Sequence, residues 1–113
     1  MNYKIITSED FDRELRRLRK KYFSISSDYA NFLKELLENP TMGDDLGGNT
    51  RKVRMAIASK NKGKRGGARI ITCTVLIDIE LAKIYLLSIY DKGEQDSISS
   101  KEIEILKSRN GLV

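Results

Sequence analysis

The chain of 113 residues has no histidine and no tryptophan, and one cysteine and one proline. The missing histidine removes the usual general base at neutral pH, the commonest zinc ligand and every Ser-His or Cys-His scheme. A lone cysteine, Cys73, excludes an internal disulfide and a zinc site built on several thiolates. It stands in the apolar run R-I-I-T-C-T-V-L-I, where a buried thiol is expected rather than a nucleophile. No apolar run approaches the roughly 18 residues of a membrane span, and no basic helix carries a large aromatic face. Met1 to Thr7 is short and Glu9 and Asp10 follow at once, so a secretory leader is not expected. The expectation is one domain over residues 1–113, in the cytoplasm and off the membrane.

What the chain has is positive charge, and it is concentrated. Lysine and arginine number 21 against 16 acidic residues, a net of +5. Eight of the basic residues fall between Arg51 and Arg69, in R-K-V-R-M-A-I-A-S-K-N-K-G-K-R-G-G-A-R, with no acidic residue among them. Without that stretch the remainder is net negative. A local field of this kind attracts polyanions, nucleic acid first among them.

Hydrophobic periodicity gives the framework. Asn2 to Thr7 reads as a short strand, and Thr7 or Ser8 caps a helix whose stripe is Phe11, Leu15, Leu18 and Tyr22. The basic exterior of that helix (Arg13, Arg16, Arg17, Arg19, Lys20, Lys21) reads as a solvated face. Ser26 or Ser27 is expected to cap a second helix, with Tyr29, Phe32, Leu33, Leu36 and Leu37 inward and Asn39-Pro40 as its stop. The two form a helical hairpin. Met42 to Asn49 is loop by composition, with Asp44 and Asp45 solvated.

Three strands are expected next. Lys52 to Ala58 places Val53, Met55 and Ile57 on one face and Lys52 and Arg54 on the other. Ser59 to Gly67 is a loop. Arg69 to Ile77 is apolar on both faces and reads as an inner strand. Ala82 to Lys92 follows, with Ser88, Tyr90 and Lys92 sharing a face. The final helix opens on a Ser99/Glu102 capping box with an Ile98–Ile103 staple. The fold class is α+β, in the order β-α-α-β-β-β-α, with helices packed on an antiparallel-rich sheet.

If those strands pair in sequence, Arg69, Tyr90 and Lys92 converge at one sheet end, with Lys52 and Arg54 alongside and the Lys60 to Arg65 loop over them. Such a set suits RNA cleavage by the substrate's own 2′-hydroxyl. Arginines hold the charge of the phosphorane. A lysine in a like-charge cluster can move a proton, and the phenol can stack, orient the ribose or pass a proton. The same residues also describe a plain phosphate-binding module, since basic side chains give affinity without chemistry.

K-V-R-M-A-I-A-S-K-N-K-G-K-R-G-G-A-R-I-I, followed by Y-L-L-S-I-Y-D-K-G-E, resembles the HigB-like branch of the RelE/ParE toxin superfamily, the toxins of bacterial type II toxin–antitoxin pairs. The Gly63 to Arg69 segment is its most specific part, then Ile89 to Lys92. The resemblance implies a RelE-like fold and a ribosome-dependent mRNA endonuclease needing no metal or other cofactor. It also implies a 2′,3′-cyclic phosphate product and a cognate antitoxin that masks the basic patch, with DNA met only through that antitoxin. Carried onto this sequence, it gives Arg54, Lys64, Arg69, Tyr90 and Lys92 as catalytic. Lys52 and Arg65 become RNA contacts, and Lys60 and Lys62 join them by their place in the basic loop. Thr72, Cys73 and Thr74 stand where relatives often carry aromatics, and Asn61 where glycine is frequent. Three other readings compete: a gyrase-targeting toxin of the ParE type, a non-catalytic RNA-binding module, and a metal-dependent nuclease built on Asp91, Glu94 and Asp96.

Overall fold

The computed structural model describes residues 1–112. Its elements are β1 (Asn2–Thr7), α1 (Glu9–Lys21), α2 (Ile25–Glu38), β2 (Asp44–Gly47), β3 (Thr50–Met55), a 3₁₀ turn (Ala58–Lys60), β4 (Ala68–Leu76), β5 (Leu81–Asp91) and α3 (Ser100–Arg109). One mixed sheet runs β1-β5-β4-β3-β2; β1 is parallel to β5 and the other pairs are antiparallel. The class is α+β, and β4 is the inner strand that its two-faced apolar sequence demands: Ile70 belongs to one core and Ile71 to the other.

The larger core lies under α1 and α2. Phe11, Leu15 and Leu18 of α1 and Phe32 and Leu36 of α2 bury against Val53, Ile70, Ile84 and Ile89 of the sheet. Ser8 starts α1. Its hydroxyl accepts from the Phe11 amide at 3.0 Å and donates to the Leu87 carbonyl at 3.0 Å, which ties the helix start to β5. Leu87 is the extra residue of a β-bulge, where Ile71 pairs with Ser88 and Thr72 with Leu86. The smaller core lies under α3, where Ile71, Cys73 and Leu87 meet Ile103 and Leu106. The Ser99–Glu102 capping box is present, and Ile98 packs with Ile103 in that core.

Four expectations need correcting. Met42 to Asn49 is not all loop: Asp44–Gly47 is a fifth strand, so the order is β-α-α-β-β-β-β-α. Gly48 and Asn49 both have positive φ (58° and 59°), the pattern of a two-residue type I′ hairpin closing on the Gly47–Thr50 pair. Asp44 and Asp45 stand opposite Lys52 and Arg51 on this edge strand and remain exposed, as expected. Second, α2 starts at Ile25, not after Ser26; Ser24 is the residue before it, and its hydroxyl bonds Asp28 and Ser59 without capping the helix. Third, Leu37 is half exposed and Ile25 takes the buried place on α2. Fourth, β3 ends at Met55 and the chain turns through Ala58–Lys60, although Ile57 is fully buried as its alternation requires.

Candidate nucleic-acid interface

Cross-strand register assembles the middle of the site. Arg54 on β3 is opposite Arg69 on β4, and Arg69 is opposite Tyr90 on β5. Directly paired residues share a face, so the three form one row across three strands. The next row is Lys52, Ile71 and Ser88. Two guanidinium-bearing residues placed opposite one another oppose sheet formation, since like charges at such positions repel. The fold tolerates that arrangement here.

Arg69 is buried, and its guanidinium is committed to main-chain oxygens: Nη1 donates to Lys64 and Ala68, and Nη2 to Arg65 at 2.9 Å. It thereby folds the end of the basic loop back onto its own strand. Gly67 is needed at that junction, because a Cβ would stand 2.2 Å from the Met55 carbonyl oxygen. The amide of Lys92 donates to the Gly67 carbonyl, fixing the end of β5 to the same loop.

Tyr90 is 4% exposed, and its hydroxyl is the one buried side-chain polar atom among the described residues that has no hydrogen-bond partner. A buried hydroxyl in this state is costly. Burial pushes the phenol above its ordinary pKa, Arg69 pulls the other way, and Asp96 and Glu102 push with burial. The phenol is therefore protonated at neutral pH, a donor and not a base. It lines a cavity of about 330 Å³ with Ser88, Gln95, Ile98 and Glu102, beneath α3.

The remaining sequence-derived residues divide into paired and unpaired. Lys60 reaches through the sheet's end to Asp91 at 2.6 Å and is nearly buried. Lys64 bridges to Glu35 of α2 at 2.6 Å, and Lys92 to Asp96 at 2.5 Å. These three are held by carboxylates. Lys52, Arg54, Lys62 and Arg65 have no side-chain ion pair among the described residues. Arg54 also borders a cavity of about 110 Å³ with Asp28, Glu35 and Lys64.

Two features escape a reading of motifs alone. Tyr22 belongs to the α1 stripe, yet its hydroxyl donates to Asp91 at 2.5 Å. Asp91 is 1% exposed and accepts from Lys60, Tyr22 and the Gly93 amide. Burial raises its pKa, but those hydrogen bonds outweigh burial and hold it at about 2. The signal was the apolar neighbourhood of Asp91 at a strand end opposite a helix-borne tyrosine. Glu94, likewise held at about 2, is bound by Arg17 and by Lys21, which also stands 3.7 Å from Asp91, and Asp96 is bound by Lys92, so all three carboxylates are taken up by basic side chains. Among the described residues no three such ligands gather, and no helix is long and apolar enough to cross a membrane. No family model matches the chain.

Proposed function

We propose that this chain is a RelE-like toxin of a type II toxin–antitoxin pair that cleaves mRNA on the ribosome in the cytoplasm, without a metal. The observation that carries this is the row Arg54–Arg69–Tyr90: two cations and one unpartnered, protonated phenol on a single sheet face. In the reaction, the ribose 2′-oxygen attacks its own phosphorus and the bond from phosphorus to the 5′-oxygen breaks. A lysine amine of the patch takes the 2′-proton, the exposed Arg54 bears the phosphorane charge while Arg69, held by the loop backbone, adds only its field, and Tyr90 gives its proton to the departing 5′-oxygen. The products are a 2′,3′-cyclic phosphate and a 5′-hydroxyl. Because α3 covers the phenol, RNA engagement entails movement of α3 or of the Gly93 to Ile98 segment. The ribosome supplies the positioning that a small, shallow site lacks. A cognate antitoxin covers the basic patch when the toxin is silent.

The test is cleavage of a message on purified translating ribosomes with chelator present. Cuts confined to ribosome-bound message and ending in a cyclic phosphate are expected; uncut message, or cuts abolished by chelator, would contradict the assignment.

A second reading has its own support. Arg69 spends its guanidinium hydrogen bonds on the loop backbone, which is the behaviour of a structural anchor in a non-catalytic RNA-binding module. It predicts salt-sensitive RNA affinity with intact message.

A further inference from the structure

Lys107 lies on the buried side of α3 and is 7% exposed. Its ammonium has no hydrogen-bond acceptor among the described residues. The nearest carboxylate oxygen, of the largely exposed Glu104, is 3.8 Å away. The stem is what α3 buries, while the ammonium itself keeps contact with solvent at the cavity's edge. The Nζ is set against the β2–β3 hairpin, where a Cβ on Gly48 would come within 3.2 Å of it. It opens on a cavity of about 410 Å³ between α3 and that hairpin, whose wall also holds Lys52, Thr50 and Ser100. The volume falls within the range of small-molecule sites, roughly 300–1,000 Å³.

Lys107, Lys52 and the Ser100 hydroxyl are the donor set for a phosphate, Thr50 giving its own hydrogen to the Gly48 carbonyl at 3.2 Å, and the Glu104 carboxylate shares the wall. Apolar side chains of Ile98 and Ile103 form another wall, which suits an attached ribose or base. The cavity is continuous in position with the row of Tyr90. Ile98 lines both cavities, and Lys52 sits two residues from Arg54 on the same strand face, roughly 6.6 Å along it. One nucleotide of an extended strand spans a similar distance.

We infer that the groove between α3 and the β2–β3 hairpin is a nucleotide phosphate subsite, with Lys107 and Lys52 binding a phosphate that flanks the Arg54–Arg69–Tyr90 row. The RNA assignment rests on the endonuclease reading, whereas binding of a nucleotide phosphate by Lys107 can be measured apart from it.

The test is calorimetric titration of the full chain at low salt with adenosine 3′,5′-bisphosphate and, separately, with inorganic phosphate. The expected result is one equivalent of the bisphosphate bound, more tightly than inorganic phosphate. K107M weakens it at least tenfold, and K34M, the same charge change at an exposed α2 position, leaves it unchanged. E104Q tightens it by removing the competing carboxylate, and this variant keeps the buried lysine should K107M fail to fold. Absence of binding to the wild type, equal binding by folded K107M, or unchanged affinity in E104Q would overturn the subsite. Inorganic phosphate binding as tightly as the bisphosphate would overturn its nucleotide assignment. Lys107-dependent binding by a protein that leaves ribosomal message intact would support the subsite and remove the endonuclease reading alone.

Discussion

Tyr90 and Asp91 are neighbours on one strand, both buried, and they face opposite sides of the sheet. Asp91 turns to the α1–α2 side, where a lysine, a phenol and an amide satisfy its carboxylate. Tyr90 turns to the α3 side, where nothing satisfies its hydroxyl. Burial is the same for both, so burial does not separate structure from function here. Hydrogen-bond satisfaction does: a completed polar network holds a fold together, while an incomplete one stores a cost that a ligand can relieve. The cores match this division. The α1–α2 side has the large apolar cluster, and the α3 side has a small one with two cavities beside it.

The contrast breaks most visibly at Asp91. Asp91→Ala strands Lys60 and the Tyr22 hydroxyl, and loss of one partner from a buried pair costs about 3–5 kcal/mol, readable in a urea melt. A midpoint unchanged from wild type would show that the Asp91 network is not structural. Next comes Gly67→Ala, whose methyl meets the Met55 carbonyl oxygen. Overpacking at that point is expected to cost about 1–3 kcal/mol and to loosen the loop anchored by Arg69. Ser99→Ala removes the cap of α3 and costs about 1 kcal/mol. Its sharper readout is faster amide exchange in α3 with little change under α1 and α2. Smallest is Tyr90→Phe, which deletes an unsatisfied hydroxyl and is expected to leave stability level or slightly raised, unlike its neighbour.

Acid titration sharpens the same comparison. The folded Asp91 pKa of about 2 lies below the ordinary value of 3.8, so its contribution is present above about pH 4 and is lost as pH falls toward 2. Asp91→Asn should flatten the loss of stability over that window, and a slope identical to wild type would contradict it. Glu94 shares the window, but its partners Arg17 and Lys21 are half exposed and their solvated contribution is small.

Much of the fold was legible because periodicity reports burial directly. The α1 stripe, the two-faced β4 and the α3 cap all follow from spacing. The fifth strand was not, because an exposed edge strand of D-D-L-G carries no apolar alternation. Its signal lay in the G-G-N turn that joins it to β3. The Arg54–Arg69–Tyr90 alignment followed from strand order and hairpin connection. The fates of Lys60, Lys64 and Lys92 did not, since each is paired with a carboxylate whose position depends on tertiary packing or on a loop path. Sequence gives the sign of a charge, but only the fold says which charges are already neutralised.

The most direct measurement is mapping of transcript 5′ ends after brief expression of wild type and Tyr90→Phe, with both shown to be folded. New ends within translated codons for the wild type, reduced about a hundredfold or more in the variant, are predicted. Equal cutting by both proteins, or no new ends from either, would contradict a site built around that phenol.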